Sequence, residues 1–215
     1  MRIDFIFDSV CPWCYVGKRR LEQALALRPD VRAEIRWRPF LLNPDLPVAG
    51  IERRTYLERK FGSPHRIQRL LTAASAAGKS VGIDFNFAAI TRTPNSIDAH
   101  RLILLADEAG RQAEIVEALF AAYFTQGLDI GDRRVLRDIA DSRGLSGPMA
   151  EAYLAGGDGV AAANADNARV HRLGVSGVPC YIFADHYALA GAQEADLLAR
   201  LIDIAREAEL DAVTG

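Results

Sequence analysis

Residues 11–14 of the chain read Cys11-Pro12-Trp13-Cys14, two cysteines separated by two residues. The residues before them, 2–8 (RIDFIFD), alternate apolar and polar side chains and predict a short strand. Residues 12–27 carry apolar side chains at helical spacing. The cysteine pair therefore lies where a strand gives way to the N-terminus of a helix.

This position at a helix N-terminus favours a reactive sulfur. Unpaired backbone N–H groups and the positive end of the helix dipole stabilise an anion there, so Cys11 is the predicted nucleophile in its thiolate form. Cys14 follows on the same helical face and can attack a disulfide formed on Cys11. Pro12 suits the first helical turn, and Trp13 offers a flat apolar surface beside the sulfurs. We expect dithiol redox chemistry at this pair, with the two intervening residues touching the substrate.

The spacing of the two cysteines alone does not decide their chemistry. A zinc half-site or two unreactive thiols would show the same spacing. A motif that opens a helix directly after a strand favours redox chemistry, so no metal ligand is assigned. Lys18, one helical turn after Cys14, is expected to be solvated rather than to add positive potential at the sulfurs.

Length and composition limit the class of protein. A chain of 215 residues can form one large domain or a domain that carries an insertion. Its 26 basic and 28 acidic residues provide no strong field for nucleic acid or an anionic membrane, so neither partner is expected. Three cysteines are too few for a disulfide scaffold, and the first residues lack the features of a leader peptide. These features predict a cytoplasmic protein.

The rest of the chain predicts an α/β domain interrupted by helices. Residues 31–38 alternate again and indicate a second strand, parallel to the first across a helical crossover. After three prolines in residues 39–47, the pattern is almost entirely helical from about residue 51 to residue 173. Residues 180–190 then predict two strands joined by a tight turn, and a last amphipathic helix begins near residue 193.

Three segments resemble the DsbA family of thioredoxin-fold oxidoreductases, and within it the FrnE-like dithiol-disulfide isomerase branch. They are residues 11–20 (CPWCYVGKRR), residues 94–102 (PNSIDAHRL) and residues 174–179 (GVSGVP). The resemblance implies an α/β, thioredoxin-like fold with a large all-helical insertion. The thioredoxin-like domain would comprise residues 1–43 and 174–215, and the helical insertion domain residues 44–173.

The resemblance also implies roles for individual residues. Cys11 would be the attacking sulfur, Cys14 the resolving sulfur and Pro179 a cis-proline whose loop faces them. The backbone of Val178 would pair with an extended substrate and hold its disulfide against Cys11. The implied activity is thiol-disulfide exchange on protein or small-molecule substrates through a mixed disulfide. It requires no cofactor beyond the redox-active disulfide, with glutathione as a candidate reductant.

One departure from the family concerns proton transfer. Many thioredoxin-like proteins carry a buried acid six residues before the first cysteine, which assists proton transfer at the second. This chain has Phe5 at that position. Asp4 and Asp8 are near in the sequence, but neither matches the family position. The proton acceptor for Cys14 is therefore open.

A second departure is Cys180, which directly follows the proline of the last segment. Burial as the first residue of a strand is the favoured interpretation. The alternative is an accessory thiol that forms a disulfide with Cys11 or completes a metal site with both thiols of the pair.

Two other functions compete with disulfide exchange. The related kappa-class and 2-hydroxychromene-2-carboxylate isomerases resemble this fold and insertion. They typically have serine in place of the first cysteine, so Cys11 argues against this function. A non-catalytic zinc-binding or partner-binding module is the third alternative. The direction of exchange and the oligomeric state, a homodimer included, stay open.

Overall fold

The computed structural model describes the backbone of residues 1–214 and the side chains of residues 1–211. A single 3₁₀ turn, Phe87–Ala89, lies within the helical part of this described chain. The elements follow in the order β1 (Arg2–Phe7), α1 (Pro12–Ala26), β2 (Glu34–Pro39), β3 (Ile51–Glu52), α2 (Arg53–Phe61), α3 (Pro64–Ser80), β4 (Arg92–Thr93), α4 (Ile97–Leu105), α5 (Gln112–Phe124), α6 (Arg133–Ser142), α7 (Gly147–Ala155), α8 (Val160–Arg172), β5 (Cys180–Phe183), β6 (Tyr187–Ala190) and α9 (Ala195–Thr214).

A four-stranded mixed sheet in the order β2-β1-β5-β6 forms the centre of the fold. β1 pairs in parallel with β2, and α1 makes the connection between them. β1 also pairs with β5, and β5 with β6, both antiparallel. The parallel unit and the hairpin confirm the predicted strands.

The two faces of β1 bury different side chains. Ile3, Phe5 and Phe7 point into the main core, as the alternation predicted, and each such buried side chain contributes about 1.5–3 kcal/mol. Asp4 points the other way, where its carboxylate accepts hydrogen bonds from Arg36 at 2.6 Å and Arg38 at 3.1 Å. This pairing lets a charged residue lie in a buried strand.

The chain between β2 and β5 is helical, as predicted, apart from the short β3–β4 ladder and the 3₁₀ turn. The sequence predicts a short extended or irregular segment at residues 83–87, and the structure is irregular there up to the start of the 3₁₀ turn. One buried cluster runs from the sheet into α4, α5 and α6 without a break. This continuous packing between the sheet and the helices marks no boundary between two domains. The predicted domain boundaries near residues 44 and 173 therefore stay a prediction. Within the described chain, no helix is long and apolar enough to cross a membrane.

Candidate active site

The turn before α1 places Cys11 at the N-cap of the helix. The Cys11 N–H donates to the Asp8 carbonyl at 3.0 Å, and the Val10 N–H donates to the Asp8 carboxylate at 3.2 Å. Cys11 has extended backbone angles, φ −98° and ψ 114°, and its side chain makes no capping hydrogen bond. Pro12 then begins the helix, as its fixed φ allows. The first sulfur therefore sits at the positive end of α1, as predicted.

The two thiols differ in exposure, and Cys14 is the more deeply buried of the two. Cys11 is 6% exposed, whereas Cys14 is completely buried. Both are free thiols. Burial, followed by the hydrogen bond and charge of Cys11, raises the pKa of Cys14 well above its ordinary value of 9.0. Cys14 therefore keeps its proton, and Cys11 is the sulfur nearer to solvent.

The loop before β5 lies against Cys11. The Cys11 thiol donates to the Val178 carbonyl with an Sγ–O distance of 3.8 Å, and the Val178–Pro179 peptide bond is cis. Gly17 of α1 packs against the same loop, because a Cβ there would lie 2.9 Å from Pro179 Cγ. The absence of a side chain at Gly17 thus lets α1 approach the loop.

A groove of about 230 Å³ opens beside Cys11. Trp13, 36% exposed, forms part of its rim. Apolar side chains from the chain after β2, α2 and α3 form much of the wall, namely Leu42, Leu57, Phe61, Leu70 and Leu71. Two cations, Arg53 and Lys60, also line it. The sequence predicts a solvated face for the charges on α2 and therefore does not identify these two residues. The side of a helix that faces a groove depends on its packing partner.

Lys60 and Arg53 are held by neutral groups. Lys60 Nζ donates to the Tyr56 hydroxyl at 2.7 Å and to Asn43 Oδ1 at 3.1 Å. The Arg53 guanidinium donates to the Tyr123 hydroxyl at 3.0 Å. Among the side chains of residues 1–211, no carboxylate lies within ion-pair distance of either cation. The groove therefore combines apolar walls with two positive charges that have no carboxylate within ion-pair distance in this described part of the chain.

The expectation for Lys18 was wrong. Lys18 is buried, and its Nζ donates to Glu22 and, at 2.7 Å, to Glu117 of α5. Glu117 also accepts a hydrogen bond from the Tyr15 hydroxyl at 2.7 Å. Burial alone would raise the pKa of Glu117, but the contacts with Lys18 and Tyr15 lower it overall. Lys18 therefore ties α1 to α5 and is neutralised there.

The structure does not bring Cys180 to the cysteine pair. Side chains alternate along β5, so Tyr181 points into the core that contains Cys11 and Cys14. Cys180 points to the other face and packs against Ile6, as the favoured interpretation expected. Burial also raises the pKa of this thiol. This strand geometry contradicts the alternative prediction of an accessory thiol near the pair.

Two groups behind the pair were not recognised as site residues from the sequence. Asp8 is completely buried, and His100 of α4 is 2% exposed, with its Nε2 3.6 Å from Asp8 Oδ1. From the sequence alone, a lone histidine on a helix such as His100 is predicted to be a surface or hydrogen-bonded residue rather than a ligand. Only the packing of α4 on β1 shows that it faces Asp8.

Comparisons with known proteins match the fold of this chain. The model of the DSBA-like thioredoxin domain family matches residues 2–203. The crystal structure of the probable DsbA oxidoreductase SCO1869 from Streptomyces coelicolor is 30% identical in sequence. It matches 96% of this chain and 90% of that chain, with a TM-score of 0.88.

Two more distant structures share the fold. The cytosolic disulfide reductase DsbM from Pseudomonas aeruginosa, solved with GSH, is 19% identical and has a TM-score of 0.65. A 2-hydroxychromene-2-carboxylate isomerase is 17% identical and has a TM-score of 0.71. Each match covers 100% of both chains.

The fold, the cysteine pair and these matches define a thioredoxin-fold enzyme of the disulfide oxidoreductase or isomerase class. The chain belongs to the DSBA-like thioredoxin domain family. The predicted α/β, thioredoxin-like fold with a helical insertion is thereby confirmed.

Proposed function

We propose that the protein catalyses thiol-disulfide exchange through Cys11 and Cys14, as in the FrnE-like branch. One observation carries the proposal. Cys11 Sγ stands at the N-terminus of α1 beside an open groove, 3.8 Å from the Val178 carbonyl, with Cys14 buried behind it. A reactive sulfur in front of a protected partner is the arrangement that such exchange requires.

The exchange proceeds in two displacement steps. The Cys11 thiolate attacks one sulfur of a substrate disulfide, so a Cys11–substrate S–S bond forms as the substrate bond breaks and one substrate thiolate leaves. Cys14 then loses its proton and attacks Cys11 Sγ, releasing the second substrate thiolate. The enzyme is left with a Cys11–Cys14 disulfide, and the substrate has gained two electrons. A reductant restores the dithiol, and the reverse sequence oxidises a substrate dithiol.

Backbone and aromatic groups at the mouth can position the substrate. Val178 is half-buried, and its carbonyl accepts a hydrogen bond from the Cys11 thiol in the free enzyme. The same carbonyl can accept a hydrogen bond from an amide N–H of an extended peptide. Trp13 and Pro12 offer an apolar surface on the other side of Cys11. These contacts would hold the substrate sulfur in line with Cys11.

The charges in the groove favour an acidic thiol as reductant. Arg53 and Lys60 have no carboxylate partner within the described chain, and a peptide carboxylate would supply one. Glutathione combines a thiol with two carboxylates, and the DsbM structure holds GSH. The proposal therefore includes glutathione as reductant and places the enzyme in the cytoplasm, where glutathione keeps thiols reduced.

Glutathione-dependent reduction of a fluorescent peptide disulfide tests this proposal. Wild-type protein should accelerate the reaction, Cys11→Ser should abolish the acceleration, and Cys180→Ser, the matched control on the far sheet face, should retain it. Full activity in Cys11→Ser would overturn the proposal.

The same variants separate the competing functions. Turnover of a hydroxychromene carboxylate with glutathione that survives in Cys11→Ser would favour the isomerase function. Stoichiometric zinc in protein purified without chelator, together with no exchange activity, would favour a binding module. We expect neither result.

A further inference from the structure

The second displacement step needs a group that takes the proton of Cys14. This thiol is completely buried and its pKa is raised, first by burial and then by Cys11, so water does not deprotonate it readily. Phe5 occupies the position at which related folds carry an acid, and its ring packs against Tyr181. The acceptor must therefore come from elsewhere in the structure.

Asp8 is a carboxylate placed at the pair. It is completely buried, and its two oxygens accept N–H groups from Val10 at 3.2 Å and Leu42 at 2.8 Å. Its backbone carbonyl accepts the Cys11 N–H. Burial and Cys11 raise the pKa of the Cys14 thiol most; after them, a backbone hydrogen bond with Asp8 lowers this pKa and the charge of Asp8 raises it. Asp8 thus interacts electrostatically with the sulfur that must lose a proton.

His100 of α4 lies next to the Asp8 carboxylate. Its Nε2 lies 3.6 Å from Asp8 Oδ1, and its ring packs edge-on against Phe7. Within residues 1–211, whose side chains are described, this buried nitrogen has no hydrogen-bond partner. A buried polar atom without a partner is costly, and here it points at a carboxylate. A proton placed between the two groups would satisfy both.

We propose that Asp8 and His100 together accept the proton of Cys14 during resolution of the mixed disulfide. This inference rests on the proposed function. The Cys14 proton moves to the Asp8–His100 pair, and the sulfur electron pair forms the bond to Cys11 Sγ. The bond between Cys11 and the substrate sulfur breaks, and its electrons leave on the substrate thiolate. Asp8 and His100 are positioning and proton-holding residues that never touch the substrate.

Stopped-flow kinetics with the aromatic disulfide dithiobis(nitrobenzoate) separates the two steps. Reduced protein in molar excess should release one coloured thiolate when Cys11 attacks and a second when Cys14 resolves the mixed disulfide. General-base catalysis typically contributes 10²–10⁴-fold, so Asp8→Asn should slow the second release by about 100-fold or more and leave the first release in place. Without the base, the second release should rise with pH as hydroxide replaces it.

Two further variants complete the test. His100→Gln should also slow the second release, and it decides the matter if circular dichroism shows that Asp8→Asn does not fold. Asp4→Asn, the matched loss of a buried carboxylate on the other face of β1, should leave the second release unchanged. A normal second release in folded Asp8→Asn and His100→Gln, or an equal loss in Asp4→Asn, would overturn the inference. A missing first release from Cys11 would overturn the proposed function itself.

Discussion

Cys11 Sγ and the Val178 carbonyl oxygen lie 3.8 Å apart although 167 residues separate them in the chain. This contact places the predicted nucleophile beside a backbone acceptor that has no role in the sheet. A peptide disulfide whose N–H group replaces the Cys11 thiol at this oxygen would lie against the sulfur. The contact therefore gives a test of substrate orientation.

N-methylation of the substrate amide nearest the reactive cysteine removes the donor for Val178. Losing one such hydrogen bond costs about 1 kcal/mol, so we expect kcat/KM to fall about fivefold. Steady-state kinetics with the two peptides measures this. Methylation of an amide far from the cysteine is the control, and equal kinetics for all the peptides would contradict the assigned orientation.

Lys60 should increase the affinity of the groove for an acidic reductant such as glutathione. Lys60 is exposed and held by the Tyr56 hydroxyl, so Lys60→Gln removes a charge with little change in the fold. An exposed ion pair contributes up to about 1 kcal/mol, and we expect KM for glutathione to rise about fivefold with kcat unchanged. Lys79→Gln, at the exposed end of α3, is the matched control. An equal KM in wild type and Lys60→Gln would show that the groove charge does not bind the reductant.

Gly17 should be intolerant of a side chain. A Cβ at this position would lie 2.5 Å from Tyr181 Oη and 2.9 Å from Pro179 Cγ. Overpacking of this kind costs about 1–3 kcal/mol, so Gly17→Ala should lower the free energy of unfolding by this amount. Tyr181→Phe removes the nearest atom, and the double variant should recover part of the loss.

Denaturant unfolding of all four forms in a double-mutant cycle measures that recovery. Gly157→Ala is the control, because a Cβ there meets nothing within 4 Å. Additive effects of Gly17→Ala and Tyr181→Phe would contradict the assigned close contact.

Reduced protein should lose stability above about pH 9 because Cys14 resists ionisation in the fold. The pKa of its thiol is raised well above 9.0, chiefly by burial. Below the pKa of the unfolded chain both states carry the proton and the full contribution is present. Above it, the unfolded chain binds fewer protons, so stability falls by up to about 1.4 kcal/mol per pH unit for this group.

Urea unfolding at increasing pH, in the presence of reductant, tests this titration. Cys14→Ala should show a shallower decline than wild type. Tyr15, with a pKa raised by burial to about 12, contributes only at still higher pH, where the unfolded tyrosine ionises first. Identical slopes in wild type and Cys14→Ala would show that Cys14 ionises as readily in the fold as in the unfolded chain.

Local sequence patterns predicted the sheet, α1 and the cysteine pair at its N-terminus, because periodicity and capping are properties of neighbouring residues. The burial of Lys18 could not be predicted, because its partner Glu117 lies 99 residues away. The Asp8–His100 pair escaped recognition for the same reason. Phe5 correctly signalled that the usual acid is absent, but the residues that replace it depend on how α4 packs on β1.

The face on which Cys180 lies also required the structure. Alternation along β5 separates Cys180 from Tyr181, but only the pairing of β5 with β1 shows which of them points toward α1. A one-residue change in this register would have moved Cys180 to the side of the cysteine pair.

Peptide mass mapping of Cys14→Ser protein, after incubation with oxidised glutathione, tests most directly whether Cys11 is the nucleophile. Without the resolving sulfur, the mixed disulfide persists on the residue that attacked. We expect one glutathione per chain, attached to Cys11, with Cys180 unmodified. Glutathione on Cys180, or none on Cys11, would contradict this expectation.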